Sequence, residues 1–144
     1  MVEFVLILPV MAILLAGLLD LGRAYFAHVA VTDAAAEGAA FAALLVHRDE
    51  ELHDTVCLPE DVEGEDPVCR AAREATDGLI RLDDAEIVVE CPSCPHLTAG
   101  DPVTVTVVYP FTLVTPIVEA MVPGGVLNLR DVASQAIIPA EPHQ

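Results

Sequence analysis

The sequence predicts an α+β protein in which one long N-terminal helix, half of it in a membrane, packs on a small antiparallel sheet of about three strands. Three observations lead to this prediction. The chain opens with an apolar run that passes into an alanine-rich stretch ending near residue 47. Later segments alternate apolar and polar residues with a period of two, as half-buried strands do. The 144 residues are enough for one small domain and a membrane span.

The opening segment has the length and composition of a membrane-spanning helix. Residues 4–19 contain no charged side chain, and Pro9 and Gly17 are their only helix-disfavouring residues. A helix over residues 1–26 would be about 39 Å long, enough to cross a bilayer with its interfaces. A cleaved signal peptide is the alternative, but no basic residue precedes the apolar run and no A-x-A site follows it at the expected place. We therefore expect a retained helix. The residues at its outer interface would be Asp20, Arg23, Tyr25 and His28.

The helix is expected to continue beyond the membrane to about residue 47. Residues 24–47 lack proline, contain one glycine and are rich in alanine, the strongest helix former. Small and apolar residues recur at steps of three or four, which places them on one helix face. These residues are Ala30, Ala34, Gly38, Phe41 and Leu45. That face would approach a sheet of the same chain, a neighbouring helix, or both.

An acidic loop and a second helix are expected next. Residues 49–66 hold nine acids and neither lysine nor arginine, which is typical of a solvated loop. Asp66 and Pro67 have the residue types of an N-cap and a first helical position, and the helix would end near Ile80. Its buried side would consist of Ala72, Ala75 and Leu79.

The rest of the chain is expected to supply the sheet. Residues 85–91 alternate around Ile87 and Val89, and residues 103–113 give the clearest strand pattern. A short helical turn is expected over 115–121, ended by the proline and glycines at 123–125. A third strand would run over about 126–138, with a bulge where Arg130 and Asp131 interrupt the alternation. Residues 138–144 would form a disordered tail.

Four cysteines follow the apolar segment and none lies within it. They allow three pairings, among which sequence alone does not choose. Local spacing favours one disulfide between Cys57 and Cys69 and another between Cys91 and Cys94. A zinc site is one alternative, although such sites usually need two close pairs and only the second pair is close. A redox-active C-x-x-C motif is the other, although no helix follows it here.

The net charge of −17 argues against several classes of function. Twenty-three acids against six bases, all arginine, leave no basic face for nucleic acid. The same acidity argues against docking of the polar part on an anionic membrane surface. Neither a histidine constellation, a glycine-rich phosphate loop nor an HExxH motif occurs, so we expect no enzyme, cofactor, resident metal or small-molecule substrate. Calcium at residues 60–66 is a weaker alternative, because the spacing departs from the EF-hand loop.

The N-terminal third resembles the TadE-like family of pilus assembly proteins, the minor pilins or pseudopilins of the tight-adherence system. In the first 26 residues the resemblance is carried by Glu3, Pro9, Gly17, Asp20, Gly22 and Arg23. In the continuation it is carried by Thr32, Ala34, Ala35, Glu37, Gly38 and Ala39. Residues 100–116 are loosely similar to a strand of the family that leads into a proline. The resemblance implies a pilin-like fold and a structural role.

The resemblance also implies a role for Glu3. A charged group in a lipid-facing helix costs up to about 3 kcal/mol at mid-membrane and less near an end. In pilin-like proteins the glutamate near the mature N-terminus is thought to meet the terminal amine of an adjacent subunit, which offsets much of that cost. Pilin-type leaders end in glycine with the glutamate fifth in the mature chain. Here Glu3 follows Met1 and Val2, which leaves an upstream start or an unprocessed chain as alternatives. The residues expected to act in subunit assembly are Glu3, Pro9, Gly17, Asp20 and Arg23.

The leading hypothesis is a structural, single-pass membrane subunit of a pilus or of its assembly machinery. Its layout would be a transmembrane half of the helix at 1–23, an amphipathic continuation at 24–48 and an extracytoplasmic domain at 49–144. The N-terminus would face the cytoplasm, because the cysteines fit an oxidising exterior. Expected partners are copies of the chain or related subunits through the N-terminal helix, the pilus assembly platform, a prepilin peptidase and the bilayer. The alternative is an unprocessed anchored module whose acidic domain binds another envelope protein or calcium.

Overall fold

One helix, α1, spans Val2–Leu45 and is about 66 Å long by its helical rise. This computed structural model describes residues 2–45, 52, 54–59, 66–76, 80–94, 100–115 and 123–137. The expected end of the helix near residue 47, residues 116–121 of the helical turn expected over 115–121, and the tail over 138–144 lie outside the described residues. The other elements are β1 Thr55–Cys57, α2 Pro67–Glu74, β2 Glu86–Glu90, β3 Pro102–Thr112, a 3₁₀ turn Pro123–Gly125 and β4 Val126–Ala136.

The two halves of α1 have different surroundings. From Phe4 to Leu19 every side chain is exposed, apart from the half-buried Ala16 and Gly17. From Ala27 onward one face is buried. The predicted face is confirmed, since its members are buried and Phe41 is half-buried. Only the second half of α1 therefore contributes to the core of the domain.

A four-stranded antiparallel sheet in the order β1-β2-β3-β4 packs against that face. The long helix on a small antiparallel sheet confirms the predicted α+β fold. The core consists of inward residues of the central strands together with both helices. It includes Val103, Val105 and Val107 of β3, Ile87 and Val89 of β2, Val31, Ala35 and Ala39 of α1, and Val68, Cys69 and Ala72 of α2.

Strand β1 corrects the expectation that residues 49–66 form only a solvated loop. Thr55–Cys57 pairs with β2, and Cys57 is buried opposite Ile87. A strand of three residues is too short to show an alternating pattern in a sequence that is otherwise acidic. Its position depends on pairing with β2 and on burial of the cysteine.

Helix α2 begins as predicted and ends earlier than predicted. Asp66 caps it by accepting a hydrogen bond from the Val68 amide at 2.8 Å, and a proline follows the cap. The helix ends at Glu74, several residues before Ile80. The Thr76 hydroxyl lies 3.2 Å from the Arg73 carbonyl oxygen and 2.9 Å from the Ile80 carbonyl oxygen, so its side chain contacts the backbone just after the last helical residue.

The expected bulge near Arg130 is absent from the β3–β4 pair, both strands of which are described throughout. The register runs without interruption from Pro102 opposite Ala136 to Thr112 opposite Val126. Asp131 lies opposite Val107, and therefore on the face of the sheet that packs against α1. There its carboxylate accepts a hydrogen bond from the Thr32 hydroxyl. Asp131 thus interrupts the apolar pattern because it makes a polar contact with the helix, and the pairing of β3 with β4 stays unbroken.

Gly38 marks the closest approach of α1 to its neighbours, and replacing it with alanine is expected to destabilise the domain. A Cβ placed there would lie 3.0 Å from the Ala72 Cβ and 3.2 Å from the Val105 Cγ1. Overpacking of this kind costs about 1–3 kcal/mol, and the better helix propensity of alanine returns at most about 1 kcal/mol. Thermal unfolding of the full chain in detergent, followed by circular dichroism, measures the effect.

Gly22→Ala is the matched control, because a Cβ there meets no described atom within 4 Å. It should leave the unfolding temperature unchanged or raise it slightly through helix propensity. A Gly38→Ala protein as stable as this control would contradict the packing described here.

Candidate functional site

The exposed half of α1 holds most of the exposed large apolar side chains of the described residues. It is long and apolar enough to cross a membrane by length and composition. The stretch from Val2 to Leu19 rises about 27 Å, close to the ~30 Å hydrocarbon core of a bilayer. Within it Leu6, Leu14 and Leu18 are each at least 60% exposed. A helix surface of this kind needs lipid or another protein around it.

Asp20 connects α1 to the rest of the domain through hydrogen bonds. Its side chain is buried, and its Oδ2 atom accepts hydrogen bonds from the amides of Thr115 at 2.7 Å and Val114 at 3.3 Å. Its Oδ1 atom lies 3.4 Å from Nη1 of Arg23, one turn further along α1. The buried carboxylate therefore has donors on both oxygens, as a buried charge requires. Asp20 therefore joins α1 to the residues that follow β3.

A groove lies beside this contact, between α1 and the end of β3. Its volume is about 410 Å³. The Arg23 guanidinium carbon lies 5.4 Å from the centroid of the Phe111 ring, within the range of a cation–π contact. The remaining lining residues are Phe26, Ala27, Ile80, Tyr109 and Thr112. The groove therefore combines one cation with three aromatic rings at the level where the exposed half of α1 ends.

The residues expected to act in assembly lie in two places. Glu3 belongs to α1, and its side chain lies outside the described residues. Pro9 is exposed inside the helix, and a Cβ on Gly17 would meet no described atom within 4 Å. Asp20 and Arg23 are brought together, about 26 Å along α1 from Glu3 by helical rise. Their described contacts lie within the chain, and an assembly role for any of the five stays a prediction.

The amide partners of Asp20 were missed by sequence reasoning. A carboxylate at the end of an apolar helix needs donors, and the residues just past a strand have amides without a ladder partner. Val114 and Thr115 stand in that position after β3, directly before a proline. A carboxylate that ends an apolar helix, together with free amides just after a strand, could therefore have indicated this contact. The long separation of the two segments along the chain makes the pairing hard to recognise.

The four cysteines lie in two pairs at disulfide distance. The Sγ atoms are 2.08 Å apart in Cys57–Cys69 and 1.99 Å apart in Cys91–Cys94. The first pair joins β1 to the first turn of α2, and the second closes the turn after β2. Within the described residues no group of three or more histidine, cysteine, aspartate or glutamate side chains could hold a metal ion. Most of the segment considered for calcium lies outside the described residues.

The polar contact between Asp131 and α1 predicts a pH-dependent contribution to stability. The Thr32 hydroxyl and the Val132 amide donate to this carboxylate and hold the pKa of Asp131 below its ordinary value of 3.8. A lowered pKa adds stability above the ordinary value, and that stability is lost as pH falls through the folded-state pKa. We expect Asp131→Asn to lower stability near neutral pH by at most about 1 kcal/mol, because solvent screens a half-exposed group.

Unfolding temperatures of the natural chain and Asp131→Asn, measured from pH 6 to pH 2, test this contribution. The difference between them should shrink below pH 4, where the natural carboxylate becomes protonated. The control repeats the comparison in a Thr32→Val background, which lacks the hydroxyl donor; there the difference near neutral pH should be smaller. A difference that stays constant across the range would show that the charge of Asp131 adds nothing.

Comparison with known protein families finds a match over most of α1. The family model for TadE-like proteins matches residues 1–40. The match contains the exposed half of α1, Asp20 with Arg23, and most of the packed half, so the resemblance noted in the sequence is confirmed over this segment. Residues 41–144, which hold both cysteine pairs and the whole sheet, lie outside the match. No curated protein and no solved structure matches the chain.

Proposed function

We propose that this chain is a pilin-like, single-pass membrane subunit of a pilus or extracellular filament, or of the machinery that assembles one. The TadE-like match implies a role in pilus assembly. The observation that supports the finer proposal is the division of α1 at Asp20. One half exposes apolar side chains on all sides, and the other half is packed into a small domain. A subunit that sits in a membrane before it joins others through its N-terminal helix needs this division.

The proposed layout places residues 1–23 in the membrane, residues 24–48 as the amphipathic continuation and residues 49–144 outside the cytoplasmic membrane. The cysteine pairs support this topology, because disulfides persist in oxidising compartments. The acidity supports it as well, since a domain of this charge stays dispersed in water.

The proposed partners contact the exposed half of α1. They are copies of this chain or related pilin-like subunits, together with the pilus assembly platform and, where a leader is processed, a prepilin peptidase. Glu3 is proposed to pair with the terminal amine of an adjacent subunit, because a carboxylate near the end of a lipid-facing helix is favourable only with a cationic partner. Pro9 and Gly17 are proposed to belong to the same contact surface.

The alternative is an unprocessed membrane-anchored module that binds another envelope protein. A groove between α1 and α2 supports this alternative. Asp33, Glu37 and Glu74 line the groove beside small side chains. Such a groove would suit a basic partner. Calcium binding by the acidic segment belongs to the same alternative.

Topology is tested by adding protease to cells whose outer envelope has been made permeable while the cytoplasmic membrane stays intact. We expect the domain to be digested and a fragment of roughly the first 25–45 residues to stay in the membrane after an alkaline carbonate wash. A domain that is digested only after the inner membrane is broken would contradict the orientation. Release of the intact chain by carbonate would contradict the membrane span.

A further inference from the structure

Six exposed apolar side chains surround the point at which α1 enters the domain. Asp20 accepts hydrogen bonds from the amides of Val114 and Thr115, and the Leu113 amide donates to the Gly125 carbonyl oxygen at 3.1 Å. These contacts bring the residues that follow β3 and the end of the 3₁₀ turn close to Asp20. The resulting basal rim consists of Leu21, Tyr25, Phe26, Val114, Val126 and Leu127, which are between 41% and 67% exposed.

The basal rim continues the apolar surface of α1 onto the domain. Half of its members belong to the helix, and the other half follow β3 or begin β4. Contiguous apolar surface of this kind is rare on a protein face in contact with water. One of its members is Tyr25, and tyrosine is enriched where a protein crosses from lipid to water.

The charge distribution distinguishes this end of the domain from the rest. The chain carries 23 acids, yet the described residues at this end, 18–27, 109–115 and 123–128, include one, Asp20; Glu119, between the last two ranges, lies outside the described residues. The Asp20 carboxylate is buried and accepts two amide hydrogen bonds. Among the described residues of this end, the exposed ionised side chain is that of Arg23, which lines the groove against Phe111. The described part of this end can therefore approach phospholipid head groups without burying an unpaired acid, although the domain as a whole is strongly acidic.

We propose that the basal rim enters the head-group layer of the bilayer that holds α1, so that the domain rests on the membrane instead of standing away from it. This inference rests on the proposed membrane span of α1. Apolar faces at an interface sink about 5–10 Å into the boundary between head groups and acyl chains. Immersion at that depth covers Val114, Val126 and Leu127 with lipid. It also places the Arg23 guanidinium among the phosphates.

Single tryptophan probes can test the proposal, because the natural chain contains no tryptophan. Val114→Trp reports on the rim. Val56→Trp is the matched control, since that valine is 55% exposed and lies on β1 at the level of Thr106, about 20 Å along β3 from Thr112. Leu14→Trp reports on the proposed span. Each full-length variant is reconstituted at low density in phosphatidylcholine vesicles carrying a nitroxide on either an upper or a deep acyl carbon.

We expect the upper nitroxide to quench the fluorescence of Val114→Trp more than the deep one does, and neither to quench Val56→Trp. Leu14→Trp should be quenched most by the deep nitroxide. If Val114→Trp is as unquenched as Val56→Trp while Leu14→Trp is quenched, the span stands and the rim proposal is wrong. Blue-shifted but unquenched emission from Val114→Trp would mean that protein covers the rim, which also overturns it. If Leu14→Trp is not quenched, the membrane span itself is wrong and the rim proposal fails with it.

Discussion

Replacing Glu3 with alanine is expected to remove most of the protein from surface filaments while leaving its amount in the membrane unchanged. The substitution takes a costly carboxylate out of a lipid-facing helix, so insertion should be unharmed or improved. Folding of the domain should be unaffected, because Glu3 lies about 26 Å along α1 from Asp20 by helical rise. What should be lost is the pairing with the terminal amine of a neighbouring subunit. Quantitative immunoblots of membranes and of sheared filaments measure the two amounts.

Asp20→Asn is the contrast variant for this experiment. It also removes an acid from α1, but that acid accepts hydrogen bonds from Val114 and Thr115 of its own chain. We expect it to lower the unfolding temperature of the domain, whereas Glu3→Ala should not. Normal filament incorporation of Glu3→Ala would exclude the assembly role of Glu3. If Glu3→Ala destabilised the domain as Asp20→Asn does, its loss from filaments could not be assigned to subunit pairing.

Loss of the Cys57–Cys69 pair is expected to have the largest effect on stability. These cysteines are twelve residues apart, and closing a loop of this size contributes about 3 kcal/mol in the chain-entropy model. Both side chains are buried in the core, so the paired replacement Cys57→Ala and Cys69→Ala also removes packed sulfur atoms. For a domain near 100 residues the expected fall in unfolding temperature is at least about 10 °C. Calorimetry of the purified chain measures it.

The second pair provides the control. Cys91 and Cys94 are three residues apart, and closing so short a loop restricts the unfolded chain much less. Replacing both should therefore cost clearly less stability than replacing the first pair. Reductant should destabilise the natural chain and have little effect on a chain lacking all four cysteines. Ready labelling of Cys57 and Cys69 by an impermeant thiol reagent on unreduced cells would contradict the disulfides.

Sequence patterns predicted the elements whose signal is local and long. The helix over Val2–Leu45 follows from alanine content and apolar spacing, and β3 follows from the alternation of apolar residues with threonines. The start of α2 follows from an aspartate and proline in sequence. In each case neighbouring residues carry enough information to fix the structure without long-range contacts.

Elements that depend on distant contacts were missed or misplaced. Strand β1 is too short to show a period and depends on pairing with β2, while α2 ends at Glu74 without a glycine or proline to mark its end. The bulge was expected because a polar residue broke the alternation, but Asp131 meets Thr32 across 99 positions of the chain. The contact between Asp20 and Thr115 spans a similar distance. Tertiary hydrogen bonds of this kind leave no periodic trace in a single sequence.

The proposed function depends on assembly through the exposed half of α1, and photo-crosslinking in living cells tests this assembly most directly. Ile13, Leu14 and Leu15 are all exposed and point in directions about 100° apart around the helix, so a photoreactive residue at each in turn samples its whole circumference. We predict that at least one position crosslinks to a pilin-like subunit identified by mass spectrometry, while the others crosslink to lipid. Crosslinks to lipid alone at all three positions, in cells that are making pili, would contradict assembly through α1.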